Sequence, residues 1–364
     1  MKKISLIGST GSIGRQVIEI VKRYPDEYKI VALAASSNRE LFNRQVEELG
    51  PDFSALACED KEKALCAADY SAADLVFNAA GGFAGLEYSV RALGAGKTLA
   101  LANKETLVCG GSEIMRLAAA NGAEILPVDS EHSALWQCMH FDKTAQIRRL
   151  IITASGGAFR DVPREELKHV TPEQALAHPT WKMGRKITVD SATLVNKGYE
   201  VIEAHVLFGT AYENIGTVIQ PQSVIHSLVE FTDCSVLAQM SYPTMLVPIQ
   251  LALSYPERLA AAVEPMDFGK AFSLDFRPLS RADYPCFDLA LKCGEAGGIM
   301  PCALNAADEV AVAAFLSGRI AFTDISAVLD GVLQATPACA VELGLLSEVD
   351  RAARDRAQKI IDRL

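Results

Sequence analysis

Gly8, Gly11 and Gly14 stand three residues apart in the string GSTGSIG, directly after a short apolar run. Positions without a side chain let backbone approach a pyrophosphate, whose charge is favoured at the N-terminus of the following helix. Taken alone, the same spacing also suits a tight strand–helix turn that binds nothing. The end of the next apolar run reads Ala35-Ser36-Ser37-Asn38-Arg39. A carboxylate there would hold the ribose hydroxyls of NAD, whereas hydroxyls, an amide and a guanidinium suit a 2′-phosphate. The nucleotide expected is therefore NADPH, although for Arg39 by itself a solvated turn is an adequate reading.

Hard oxygen donors follow. Asn103-Lys104-Glu105 and Asp129-Ser130-Glu131 each begin where an apolar run stops. In a doubly wound sheet both strings should lie beyond strand carboxyl ends, on the edge that carries the glycine turn. In an extended segment residues i and i+2 point the same way, so Asp129 and Glu131 could converge on one cation. Carboxylates suit Mg²⁺ or Mn²⁺ better than zinc, and no cysteine or histidine cluster competes. Spacing leaves open that the pair lies in a solvated loop. Further on, VDSATLVNKGYEVIEA (189–204) puts Asn196, Lys197 and Glu200 on one face if it is helical from Ser191. From spacing alone, a surface Lys197–Glu200 ion pair is the preferred reading there.

The elements that must hold these residues alternate. Apolar runs at 3–8, 29–35, 74–80, 97–103 and 123–129 read as strands, with Val17, Ile20 and Val21 on one helical face between the first two. Helical stretches near 84–95 and 112–121 separate later runs, and the alternation implies a parallel, doubly wound sheet. Strand-like runs return at 150–155, 223–231 and 235–240, and prolines at 256, 265, 278 and 285 mark a linker or wrapping segment. The end of the chain reads as helical, with Thr323 and Ser347 at expected N-caps and a capping-box spacing from Ser347 to Asp350. The fold expected is α/β: a Rossmann-like NADPH domain (1–128), a central α/β catalytic domain (129–254), a linker (255–280) and a C-terminal helical bundle (281–364).

Composition narrows the partners. The 364 residues are 50% hydrophobic and 22% charged, enough apolar chain for a sizeable core. No segment approaches the roughly 18–20 apolar residues of a membrane span, so no membrane partner is expected. The start MKKISLIGSTGSIG has too short an apolar run for a signal peptide and reads as a first strand. Nine cysteines without a C-x-x-C pair argue against a disulfide framework or structural zinc and fit a reducing, cytoplasmic setting. A net charge of −10 without a basic stripe argues against nucleic acid, leaving a small molecule as the expected partner.

The separate strings combine. GSTGSIG, LANKET, PVDSEHSAL, SGGAF, HPTWKMGRKITVDSATLVNKGYEVIEA, PQSVIHS and ALNAADEVAVAAFL run in order from Gly8 to about Phe322. In that order and spacing the chain resembles the 1-deoxy-D-xylulose 5-phosphate reductoisomerase family, of which a generic dehydrogenase would share only the first string. The resemblance implies a homodimeric cytoplasmic enzyme of isoprenoid precursor synthesis. It would use NADPH and Mg²⁺ or Mn²⁺ to convert that sugar phosphate to 2-C-methyl-D-erythritol 4-phosphate.

The resemblance also assigns residues. Asp129, Glu131 and Glu200 would bind the metal and, with Lys104 near the reacting oxygens, form the catalytic set. Ser130, Ser155, His178, Ser191, Asn196 and Lys197 would surround the substrate, mostly at its phosphate, together with Lys104, Glu131 and Glu200. Thr10, Gly11, Ser12, Ile13, Ser36, Asn38, Asn103, Glu105 and Gly184 would contact the cofactor. A metal chelated by the substrate's carbonyl and neighbouring hydroxyl would act as a Lewis acid. That permits a retro-aldol and aldol route or an α-ketol shift before hydride transfer.

Two departures stand out. Ser36-Ser37 replaces the family's usual Gly-Lys, leaving Arg39 as the candidate cation. The chain is also shorter than familiar members near 58–75 and 138–150. The rivals are a metal-independent NADP-dependent sugar-phosphate or semialdehyde dehydrogenase, the latter needing an activated cysteine, and a non-catalytic NADPH sensor. Finally, residues 177–185, with Trp181 over the substrate, are expected to form a lid that excludes water.

Overall fold

The computed structural model describes residues 1–139 and 146–364. In chain order the first elements are β1 (Lys2–Ile7), α1 (Ser12–Arg23), β2 (Tyr28–Ala35), α2 (Arg39–Leu49), β3 (Phe53–Leu56), α3 (Lys61–Leu65), β4 (Leu75–Asn78), α4 (Ala84–Gly94), β5 (Thr98–Leu101), α5 (Lys104–Ala120), β6 (Ile125–Pro127) and α6 (Ser130–Met139). They are followed by β7 (Ile147–Ala154), α7 (Pro172–Leu176), α8 (Arg185–Thr193), α9 (Val195–Phe208), β8 (Ile215–Ile219), β9 (Ile225–Phe231), β10 (Val236–Met240) and α10 (Leu246–Ser254). The last are β11 (Arg277–Pro278), α11 (Pro285–Ala296), α12 (Met300–Leu316), α13 (Asp324–Gln334) and α14 (Leu346–Ile361).

The chain forms two compact units. The first comprises Met1–Thr106, Ile114–Ser133 and Thr244–Met266. Its sheet runs β3-β2-β1-β4-β5-β6, with every neighbouring pair parallel. That is the doubly wound order, whose strand direction of travel switches between β1 and β4. A parallel strand covered on both faces must be apolar throughout, and β2 (YKIVALAA) is buried at nearly every position. Continuous runs of this kind made most of these strands legible in the sequence. The four residues of β3 make too short a run to announce themselves. Helix α1 buries Val17, Ile20 and Val21 as expected, with Ile18 beside them. Helix α10 packs on α1 and β6. The chain after it wraps this unit: Tyr24 Oη and Gln250 Nε2 both donate to Ala260 O at 2.6 Å, and Arg23 donates to Ala262 O at 2.7 Å. Residues 244–266, divided in the sequence reading between central domain and linker, thus fold with the first unit.

The second unit comprises Leu107–Glu113, Ala134–Pro243 and Asp267–Leu364. Its sheet runs β10-β9-β7-β8-β11, parallel only between β7 and β8. Helix α9 is the keystone. Val201 and Ala204 join the sheet-side core with Leu150, Ile152 and Val229, while Val195, Tyr199 and Ile202 join an all-helical core with α12 and α13. Each fully buried large apolar side chain contributes about 1.5–3 kcal/mol, so α9 is held from both sides. Among its buried residues are Lys197, Glu200 and Glu203. Charges in such a place must be paired.

Two expectations at helix ends need correction. Helix α14 begins at Leu346, not after Ser347, because fully buried Leu346 anchors the first turn and carries Ser347 inside it. Thr323 does precede α13, but its side chain makes no cap bond; the Asp324 carboxylate instead accepts from the Ala321 N–H at 2.8 Å. Of the two shortened stretches, 58–75 contains α3, while residues 140–145 of the other lie outside the described residues. Among the described residues no helix is long and apolar enough to cross a membrane.

Candidate active site

In the first unit the glycine turn sits at the carboxyl end of β1, beside the switch point. Gly8 adopts φ +78°, and a Cβ there would stand 2.4 Å from Ala79 O. A Cβ on Gly14 would stand 2.3 Å from Gly8 O. Glycine is required at both positions, at the first for backbone conformation and at the second for close approach of α1 to the turn. Gly11 is the N-cap of α1 and supplies no side-chain cap, and Thr10 to Ile13 lie exposed or half-exposed at that helix start. An anion is the complementary ligand for such a terminus. At the end of β2, Ser36, Ser37 and Asn38 are exposed and carry no acid. Asn38 Oδ1 caps α2 by accepting from Leu41 N–H at 3.2 Å. Arg39 is ion-paired with Glu59, so its charge is already partly engaged.

The LANKE and VDSE strings follow β5 and β6, at the same carboxyl edge. Asn103 is almost wholly buried. Its amide donates to Ala80 O and Gly82 O, each at 3.0 Å, and to Glu105 Oε2 at 2.7 Å, while its oxygen caps Thr106 N–H at 3.1 Å. It therefore ties the loop after β4 to the start of α5. Lys104 Nζ lies 2.9 Å from Asp129 Oδ2, with both side chains mostly buried. Carboxylate oxygens of Asp129 and Glu131 come within 4.8 Å of each other. They do so by a different geometry from the one expected. The segment is not extended: α6 begins at Ser130, and Ser133 N–H donates to Asp129 O at 2.8 Å. Acids in a first helical turn are favoured by the helix dipole, which is why the chain coils here. Ser130 Oγ donates to Glu131 Oε2 at 2.5 Å and orients it. His132, fully buried with Nδ1 3.9 Å from Asp129 Oδ2, was not singled out, though its place three residues after Asp129 in a helix would have found it.

In the second unit Ser155 closes β7 and faces His178. Ser155 Oγ lies 3.0 Å from His178 Nε2, and His178 Nδ1 accepts from the N–H groups of Thr180 (3.1 Å) and Trp181 (2.9 Å). Two donors on Nδ1 put the ring proton on Nε2. Burial, helped by the Arg160 charge, pushes the imidazole pKa down to about 4 and keeps it neutral. Ser155 Oγ thus accepts from His178 and from Gly157 N–H (3.2 Å), leaving its own hydrogen to be donated elsewhere. Gly157, at φ +69°, presses this loop on α8: a Cβ there would be 2.4 Å from Ser191 O. Arg160 was missed by sequence reasoning. It donates to Ser155 O at 3.0 Å and Pro221 O at 3.1 Å, joining SGGAF to PQSV.

The stretch 189–204 is not one helix. Leu194 takes φ 58°, ψ 13° between α8 and α9. Beyond that joint Asn196 Nδ2 donates to Glu200 Oε1 at 2.6 Å and Lys197 pairs with Glu200 Oε2. The Lys197–Glu200 pair exists, but Lys197 and Glu200 are 3% and 1% exposed, which rules out the surface pair expected from spacing. Gly184 is the exposed N-cap of α8, with nothing within 4 Å of where a Cβ would project. Trp181 is half-buried and meets the His226 ring edge-on at 6.0 Å between centroids.

Models of the 1-deoxy-D-xylulose 5-phosphate reductoisomerase family match residues 4–69 and 58–111, its C-terminal domain model residues 125–208, and a further DXP reductoisomerase C-terminal model residues 240–356. The reductoisomerase of Crocosphaera subtropica is 51% identical over 351 residues, covering 91% of this chain and 88% of that protein. The one from Thermomicrobium roseum is 45% identical, covering 99% and 98%. The chain belongs to this family. Among solved reductoisomerases, one in complex with NADPH, fosmidomycin and magnesium superposes with a TM-score of 0.93 at 35% identity, covering 100% of this chain and 98% of that one. The Zymomonas mobilis reductoisomerase with NADPH gives 0.90 at 37%, with both chains fully covered.

Proposed function

We propose that this chain converts 1-deoxy-D-xylulose 5-phosphate to 2-C-methyl-D-erythritol 4-phosphate, using NADPH and a divalent cation. One observation carries the reading. A glycine turn built for a pyrophosphate and a hard-oxygen pair, Asp129 and Glu131, lie at the carboxyl ends of strands in one sheet. A plain dehydrogenase needs only the first. The relatives solved with NADPH and magnesium point the same way. Held by these carboxylates, a divalent cation would supply Lewis-acid chemistry at the substrate oxygens, and NADPH at the glycine turn would supply the hydride.

The donor chemistry fits that cation: carboxylate oxygens, close together and already drawing the Lys104 ammonium, are what a hard divalent ion selects. We assign Asp129, Glu131 and Glu200 as its ligands and place Lys104 at the reacting oxygens. Ser155 donates its remaining hydrogen to the substrate phosphate, with neutral His178 fixing the hydroxyl. Ser130, Ser191, Asn196 and Lys197 complete the substrate shell. Thr10 to Ile13, Ser36, Asn38 and Gly184 line the nucleotide, while Asn103 acts on it by holding the 80–82 loop and Glu105. The assignment of residues 1–128 to the cofactor, of 129–243 to catalysis and of 281–364 to helical support is part of this proposal, as are homodimerisation, a cytoplasmic setting and the use of manganese.

The acylating rival lacks its nucleophile among the described residues near these strings: Cys109 is buried, and burial pushes the Cys138 thiol up to about 11. The test is NADPH oxidation with 1-deoxy-D-xylulose 5-phosphate, with and without Mn²⁺. Metal-dependent turnover is expected, and turnover without any metal would defeat the reading.

A further inference from the structure

An ionic cluster behind α8 has no role in the assignments above. Lys186, in the first turn of α8, places Nζ 2.7 Å from Asp190 Oδ2 and 2.5 Å from Asp308 Oδ2. Asp190 is one turn further along α8, and Asp308, fully buried, is midway along α12. The same ammonium lies 5.3 Å from the centroid of the Tyr199 ring on α9, itself 1% exposed. One cation therefore touches three helices. Two buried carboxylates side by side repel strongly where the dielectric is low, and the shared ammonium is what makes the arrangement tolerable. Burial raises the Asp308 carboxyl above its ordinary range and Lys186 opposes the rise.

The neighbours of the cluster give it a task. Ser191 follows Asp190 directly, and Asn196, Lys197 and Glu200 share α9 with Tyr199, across the break at Leu194. A non-helical residue at the joint interrupts the rigid backbone connection between α8 and α9. Their mutual angle is set by side chains: Val189 and Ala192 of α8 share the apolar core with Val195 and Tyr199 of α9, and beside that packing Lys186 is an ionic tie that reaches both helices and the α12 behind them.

We propose that Lys186, held by Asp190 and Asp308, is a positioning residue that fixes α8 against α9 and α12 and so sets Ser191 relative to Asn196, Lys197 and Glu200. Its bearing on turnover rests on the function proposed above; the clamp itself does not.

Lys186→Met removes the cation and keeps most of the stem, and Asp308→Asn removes one charge at nearly constant shape. Two measurements on the full-length protein separate the possibilities. Amide hydrogen exchange across 187–198 should quicken roughly three- to thirtyfold in Lys186→Met, with β7 and β9 unchanged. The KM for the sugar phosphate should rise by a similar factor, with the KM for NADPH held within about twofold. Lys186→Arg, which keeps the charge, should restore much of both. Unchanged exchange across 187–198 overturns the clamp. Faster exchange with an unchanged substrate KM makes the cluster a structural staple and overturns the positioning role. If Lys186→Met does not fold, Asp308→Asn and Lys186→Arg carry the same two readouts. A wild-type chain that leaves 1-deoxy-D-xylulose 5-phosphate unconverted refutes the proposed function and the positioning role with it, and exchange alone then decides the clamp.

Discussion

In the proposed function the glycine turn of the first unit and two side-chain groups of the second, Ser155–His178 and Asn196–Lys197–Glu200, would solve the same problem, holding an anionic ligand, by opposite means. The turn is made of backbone: Gly8 and Gly14 contribute only the absence of a Cβ, and the helix start supplies donors. The two groups are made of side chains, several of them buried, tied to one another or to loop amides, with the Ser155 hydrogen left to donate. A backbone site fails when atoms are added. A side-chain site fails when charge or a hydrogen bond is taken away.

Four experiments press on that contrast. The largest effect should come from Glu131→Gln, which changes charge but hardly volume. Loss of partners that only support metal ligands typically costs 10–100-fold, so removal of a ligand should lower Mn²⁺ affinity and turnover together by more than about a hundredfold. Circular dichroism should show an intact fold, and near-native turnover would remove Glu131 from the site. Next is Gly14→Ala. The added methyl meets the Gly8 carbonyl, and overpacking of that order costs about 1–3 kcal/mol, so both thermal stability and NADPH affinity should fall. Unchanged NADPH binding by fluorescence titration would mean that the turn is not the cofactor's.

Trp181→Ala comes third. A core tryptophan costs about 3–5 kcal/mol on truncation, but half-buried Trp181 should leave the melting temperature nearly unchanged while turnover and substrate affinity drop, as a lid requires. A large stability loss with ordinary kinetics would make it a packing residue. The last test concerns pH and leaves turnover aside. His178 is held near 4 in the fold against 6.5 for an ordinary histidine, so the unfolded chain binds the extra proton first. Stability should be constant in this respect above about 6.5 and decline as pH falls from there toward 4. His178→Gln should flatten that part of the urea-midpoint profile, and an unaltered slope would contradict the buried neutral ring.

The same contrast explains what could be read without coordinates. The glycine turn was legible, because its spacing stands directly after an apolar run and before a helical one, although that spacing alone does not separate a binding turn from an empty one. The parallel strands were equally plain, since burial on both faces leaves only apolar residues in β2. What stayed hidden was set by tertiary packing. Nothing local distinguishes a buried Lys197–Glu200 pair from a surface one; the difference is made by cores on both sides of α9. Asp129 and Glu131 were paired for the wrong reason, an extended strand end, because a helix separated from β6 and its proline by only two residues leaves little room for a periodic signature. The family resemblance assigns these residues a role where spacing could not choose between alternatives.

Leu194 shows how few residue types suit such a joint. Its backbone is in a region that glycine enters freely and leucine does not, yet its side chain is 2% exposed within the sheet-side core. Glycine would relax the backbone and open a void; valine or isoleucine would fill the void and worsen the strain. Leucine thus combines a strained backbone with a filled core, and each of these substitutions would sacrifice one of the two.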